Sequence, residues 1–279
     1  MSAIEQRSIY ATDIFWRPGR VLAVALLLPV LVAALFPEMF APFNPQGSAG
    51  AALMPPGPDH LLGTDDLGRD LLSMLVHGAR SAIVLAAAAV VLTIAVGGGL
   101  GIIAGLAGGL ADAALMRFAE FIAILPRLLV LLLLATLLGP SLELAAITIG
   151  LMSWPGLARI VRAETRALKH AEHVLAARAL GASEWRIGVR HVAPAALVPA
   201  FSVIGPIATA AILTEAGLSY LGLSDPELIS WGDLVRNGQR FFHQGWWLSL
   251  FPGMAIVATC LGLTLLGLDE TDGGGPHAT

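Results

Sequence analysis

Residues 81–106 read SAIVLAAAAVVLTIAVGGGLGIIAGL, with no charged side chain anywhere in the run. An α-helix rises about 1.5 Å per residue, so about 20 apolar residues cross the ~30 Å hydrocarbon core of a bilayer. This run is long enough to do so and has no polar face to offer water. Working outward, five further segments read as spans: Val21–Phe36, Ala113–Leu138, Leu142–Ala158, Ala195–Leu218 and Trp246–Leu268. Val21–Phe36 follows Arg17 and Arg20 as a secretory leader would. No small-x-small cleavage site precedes Pro37, however, so it reads as an uncleaved anchor. Leu142–Ala158 is short and contains Pro155. Composition agrees, since 56% of the chain is hydrophobic and 13% charged, against about 45–50% and about 25% in soluble domains. Its 17 prolines and 31 glycines are tolerated in membrane helices, where neighbouring helices satisfy freed backbone groups. The predicted fold is all-α and polytopic, with about six transmembrane helices and an interfacial helix before the second.

Lysine and arginine set the orientation. The stretch after the fourth span carries Arg159, Arg162, Arg166, Lys169, Arg178, Arg186 and Arg190, and the amino-terminal tail carries Arg7, Arg17 and Arg20. The loops Pro37–Arg80 and Ser219–Gly245 hold only Arg69, Arg80, Arg236 and Arg240. Both termini and the arginine-rich loop are therefore expected in the cytoplasm. The expected partition is a cytoplasmic tail at 1–20, a first span at 21–36 and an external loop with its interfacial helix at 37–80. A five-helix core at 81–268 follows, including a cytoplasmic loop at 159–194, and then a disordered tail at 269–279 with Gly273–Gly275. Pro37, Pro42, Pro45, Pro55, Pro56 and Pro58 predict an extended external segment without a core of its own. Trp246 and Trp247 stand where the last span would enter from outside, as aromatic interface anchors do.

Several functions are disfavoured. The lone Cys260 excludes an intrachain disulfide and a cysteine-rich metal site. His170 and His173 are three apart, but no third ligand is close in sequence, so no metal site is expected. The chain has no GxxxxGK[ST] phosphate loop, no clustered nucleophile and no acid/base pair. It is expected to be no enzyme and to bind no cofactor itself.

The most informative polar stretch is His173–Pro194, HVLAARALGASEWRIGVRHVAP. Glu172–Leu180 reads as a short helix, Gly181 breaks it, and Ser183–His191 starts another. Ala176, Ala177 and Ala182 are small enough for close packing, and the flanking arginines suit carboxylate partners. On these grounds alone it is either a docking surface or an ordinary basic loop. A second stretch is His60–Ser81, HLLGTDDLGRDLLSMLVHGARS, where Asp65, Asp66, Arg69 and Asp70 lie at helical spacing and Thr64 or Asp65 could cap a helix.

The first stretch resembles the EAA loop of ATP-binding cassette importer permeases, E-A-A-x3-G-x9-I-x-L-P. Ala176, Ala177, Gly181 and Pro194 are in register, while Leu175, His191 and Ala193 replace the Glu, Ile and Leu. The second resembles the external segment of the dipeptide/oligopeptide/nickel permeases, second paired type, through Gly63, Thr64, Asp65, Gly68, Arg69 and Asp70. ILTEAGLSYLGL at 212–223 and WWLSLFPG at 246–253 match the same family; a GD-x-LRD element expected after Leu266 is absent. The resemblance implies alternating access in a bacterial cytoplasmic (inner) membrane. It implies a second homologous permease, two ATPase subunits holding ATP and Mg, and an extracytoplasmic substrate-binding protein, with lipid around the chain and no nucleic acid. Ala176, Ala177, Arg178, Gly181, Ala182, Glu184 and Pro194 would couple to the ATPase, with Glu172 or Glu184 standing in for the missing Glu. The cargo would be a peptide, nickel or a related solute.

Charge at the bilayer centre costs about 2.5–3.5 kcal/mol on insertion scales. Glu120, Arg127 and Glu215 should therefore face protein or water, as pathway or gate residues or as an internal pair such as Glu120 with Arg127. Gly97, Gly101, Gly105 and Gly109 form a small-residue seam expected to pack within the chain. The rival reading, a secondary transporter driven by an ion gradient, would need internal inverted repeats and buried ion-coordinating groups, and neither is evident.

Overall fold

A computed structural model describes residues 18–271, so most of both expected tails, including Gly273–Gly275, lies outside the described residues. In chain order the helices are α1 Pro18–Leu35, α2 Pro37–Phe40, α3 Leu71–Thr93, α4 Gly99–Ala107, α5 Gly109–Ile124, α6 Arg127–Leu138 and α7 Leu142–Leu168. They continue with α8 Glu172–Ala179, α9 Glu184–Ile187, α10 Ala193–Ala196, α11 Ala200–Tyr220, α12 Trp231–Arg240 and α13 Trp247–Thr271. π-Helical turns at Ile94–Gly98 and Gly188–Val192 join α3 to α4 and α9 to α10. The described residues contain no β-strand.

Five helical stretches are long and apolar enough to span a membrane, and a sixth span is counted if α5 and α6 are taken together. That pair replaces the expected single helix Ala113–Leu138 and is bent by 76°. Pro126 is the cause. It has no N–H to give a helix and disfavours helical geometry in the residue before it, and Leu125 is accordingly extended (φ −68°, ψ 127°).

Two other helices are longer than their hydropathy suggests. The second span starts at Leu71 instead of Ser81, because Asp70 caps it: its Oδ2 accepts the Ser73 N–H and the Ser73 hydroxyl, both at 2.8 Å. The segment bearing the mixed charges is therefore a loop, and the interfacial helix expected there is absent. The fourth span does not stop at Ala158 but runs to Leu168, so Arg159, Arg162 and Arg166 are helical. Ser141 caps its start by accepting the Leu144 N–H at 3.1 Å.

The chain forms two compact units. The first joins the described residues up to Val84 with those from Ala208 onward. Here α13 packs along α1 and α12. The proline-rich segment is not free, since the Ala49 and Gly50 amides donate to Gly68 O at 2.8 and 3.1 Å and the Leu53 amide to Asp65 O at 2.8 Å. Trp231 of α12 fills the space beside Gly78, and its indole N–H donates to Leu75 O at 2.9 Å.

The second unit is Leu85–Ile207. Its centre is the seam between α4 with its π-turn and α7. A Cβ on Gly97, Gly101 or Gly105 would meet Trp154 O, Ala158 O or the Thr165 side chain at 2.8, 2.8 and 2.5 Å. The small-residue stripe thus seats α7 backbone to backbone, except at Gly109, which faces open space. A core of Leu157, Val161, Val174, Ile187, Val192, Ala196 and Ala200 carries α8 and α9 on α7.

Candidate functional site

The helix–turn–helix at Gly181 forms as the sequence suggests. Gly181 has φ +84°. The Gly181 amide donates to Arg178 O at 3.0 Å and the Ala182 amide to Ala177 O at 3.1 Å, the paired bonds of a Schellman turn. Ser183 then caps α9 by accepting the Arg186 N–H at 3.3 Å. Across the turn the Arg178 guanidinium donates to both Glu184 oxygens, at 2.6 and 3.0 Å. That contact holds the Glu184 carboxyl below its ordinary range and keeps the two short helices at a fixed angle. Ala177 and Ala182 pack on the core beneath. Ala176, Glu184 and Pro194 are exposed, as is Leu175 at the position of the expected Glu. Leu180 and Trp185 stand out at 89% and 80% exposure.

In the first unit Gly63, Thr64, Asp65, Gly68, Arg69 and Asp70 form one knot. Thr64 is fully buried. Its hydroxyl donates to Ala51 O at 2.7 Å and accepts the Met54 N–H at 2.9 Å. Asp65 accepts the amides of Leu67 and Arg69 at 2.9 and 2.8 Å and Arg69 Nε at 2.6 Å. Asp70 Oδ1 faces the buried His60 Nδ1 at 3.0 Å. Gly63, at φ +83°, lies so close to Trp247 that a Cβ would come within 2.7 Å of its indole nitrogen. Trp247 is therefore buried and donates to Thr64 O at 3.3 Å, so it pins the knot and is not an interface anchor, whereas Trp246 remains exposed.

Of the two readings of the intramembrane charges, the internal pair of Glu120 with Arg127 does not form. Glu120 bonds Arg117 at 3.2 Å, and Arg127 is exposed beyond the bend. Glu215 is partly buried and accepts the Ser219 hydroxyl at 2.6 Å, one residue from Ala216, on which Gly232 of α12 rests.

One charged cluster escaped the sequence reading. Asp112, 4% exposed in the first turn of α5, takes the guanidinium of Arg162 on both oxygens, the Nη2 contact at 2.7 Å, and that of Arg166 as well. Lys169 Nζ donates to Leu106 O at 2.9 Å. The i, i+4 spacing of Arg162 and Arg166 was visible, but their acidic partner lies 50 residues earlier in the chain.

This geometry defines a class, a polytopic α-helical membrane subunit that presents a braced, solvent-facing helical turn. Residues 97–268 match the family described as "Binding-protein-dependent transport system inner membrane component". The chain is 36% identical to "Putative peptide transport system permease protein" of Brucella suis biovar 1 over 90% of this chain and 85% of that one. It is 36% identical to "Oligopeptide transport system permease protein OppC" of Bacillus subtilis over 90% and 84%. It is 32% identical to "Probable D,D-dipeptide transport system permease protein DdpC" of Escherichia coli over 90% and 85%. The chain belongs to the binding-protein-dependent permease family, as a permease subunit of an ATP-binding cassette importer and not a lone secondary transporter.

Proposed function

We propose that the chain forms half of a peptide pathway, pairs with a second permease, and receives its driving force from two ATPase subunits through the turn at Gly181. The observation that carries this reading is the pair Leu180 and Trp185, which stand almost fully exposed beside the Arg178–Glu184 brace. A tryptophan such as Trp185 is the residue type that dominates docking energetics once buried in a partner's cleft. The arginine balance favours the cytoplasmic side for this surface, the side on which ATPase subunits work. Glu184, already bound to Arg178, takes the place of the missing Glu as the polar member of the surface. The peptide cargo rests on the names of the relatives above. It is delivered by a binding protein on the outer side, where the Gly63–Asp70 knot supports the receiving surface. Arg117, Glu120 and Arg127, exposed on this chain by itself, lie against the water-filled pathway or the second permease, and Glu215 belongs to the outer gate.

The chain purified alone into liposomes should accumulate nothing under a proton or sodium gradient. With its second permease, ATPases and binding protein it should take up labelled peptide only when ATP is present. Uptake by the chain alone, driven by an ion gradient, would overturn the assignment of the driving force to separate subunits.

A further inference from the structure

The clamp at Asp112 has a position that its chemistry alone does not require. Three cations on the last turns of α7 grip one corner of the fold. Arg162 and Arg166 hold Asp112 at the start of α5, and Lys169 holds Leu106 O at the end of α4. Between those two points the chain turns on Gly108 and Gly109, at φ +64° and +56°, with open space around both. No side chain at the turn itself therefore locks the corner. Three residues beyond Lys169, α8 begins. Leu106 also packs on the core that carries Val174 of α8 and Ile187 of α9, and a Cβ on Gly188 would touch its Cδ1 at 3.0 Å.

We propose that Asp112 is a positioning residue of the coupling device: by gripping Arg162 and Arg166 it makes the α4–α5 corner move as one body with α8 and α9. A displacement of the Gly181 turn then reaches α5 and its bent continuation α6 directly, and does not have to pass through the glycine corner. A charge clamp suits this task because bidentate guanidinium–carboxylate contacts fix direction as well as distance. A glycine seam, such as that between α4 and α7, fixes closeness but allows sliding.

The inference rests on the ATPase-driven reading above, and the test separates the two. The whole complex is reconstituted, and hydrolysis is measured with and without peptide-loaded binding protein. If the wild type shows no stimulation, the driving-force reading fails, whatever Asp112 does. Given stimulation, Asp112→Asn should leave assembly intact and basal hydrolysis within about twofold, while stimulation and uptake fall about tenfold, a typical size for coupling between sites. Asp112→Glu, which keeps the charge, should recover part of the loss. Spin labels on Ala111→Cys and His173→Cys, in a Cys260→Ala background, give the readout that a merely structural role would not move. Their separation should be the same with and without ATP in the wild type and should become nucleotide-dependent with Asp112→Asn. A nucleotide-dependent distance in the wild type, or an Asp112→Asn complex that matches the wild type in stimulation, overturns the proposal. Should Asp112→Asn fail to assemble, Arg166→Gln, which leaves both Arg162 contacts, decides the matter. A partial loss of stimulation supports the clamp, and unchanged stimulation overturns it.

Discussion

At Gly181 a single backbone angle sets the direction of the surface proposed to dock the ATPase. A φ of +84° costs an L-residue with a side chain about 1–2 kcal/mol, and a β-branched one more. The Schellman bonds and the Arg178–Glu184 brace both depend on that turn. Gly181→Val should therefore swing α9 away from α8, while the spans, which pack elsewhere, remain inserted. The expected complex assembles and binds nucleotide, but its hydrolysis no longer responds to loaded binding protein. Substrate-stimulated hydrolysis and uptake equal to the wild type would show that the turn carries no coupling. The brace itself should be insensitive to pH near neutrality. Its carboxyl is held below the ordinary range, so its contribution is complete above the unfolded value and is lost only as the pH falls through the depressed one.

Among the elements, α12 is seated by two close approaches. Gly232 lets it rest on α11, where a Cβ would come within 2.2 Å of Ala216 O, and Trp231 fills the space beside Gly78. Trp231→Phe keeps most of the ring and loses the bond to Leu75 O, a cost of about 0.5–1.5 kcal/mol. Trp231→Ala also opens a cavity, for about 3–5 kcal/mol. Thermal unfolding of the detergent-purified chain should rank them in that order below the wild type, and equal losses would mean that the ring adds nothing to the seat. The Gly181 motif was legible because its signals are local: alanines, a glycine break and a serine cap lie within a dozen residues. The bend at Pro126 was not, because the apolar runs on either side of Pro126 and Arg127 add up to the length of one span and hide the break between them. The end of α7 was missed for the opposite reason. Hydropathy stops at Ala158 while the helix continues, with Arg162 and Arg166 held by Asp112 on another helix. At 65–70 the same i, i+4 charge spacing that supports a helix instead closes a loop, since Asp65 Oδ1 takes the amides of Leu67 and Arg69 while Oδ2 takes Arg69 Nε.

For the whole chain, the decisive question is which face meets the ATPase, and bonds within each unit bear on it. In the first unit the loops following α2 and α11 touch: Gln46 Nε2 donates to Glu227 O at 3.4 Å, and Trp247 reaches Thr64 O. In the second, the turn at Gly108 and the loop after α7 touch through Lys169 and Leu106 O. Connections before and after an even number of crossings must share a side of the membrane. With α5 and α6 counted as one span, both contacts join loops that alternation places together. By the arginine balance of α7 and the loop after it, the second pair is expected in the cytoplasm, and the first pair would then lie outside. Single cysteines at Gln46, Ser183 and Asn237, in a Cys260→Ala background, test this with a membrane-impermeant thiol reagent on intact cells. Gln46→Cys and Asn237→Cys should label from outside, and Ser183→Cys only after the membrane is permeabilised. Labelling of Gln46→Cys and Ser183→Cys but not of Asn237→Cys would mean that α5 and α6 turn back without crossing, because both later sites would then change sides relative to Gln46. External labelling of Ser183→Cys alone would invert the chain and take Leu180 and Trp185 out of reach of any ATPase.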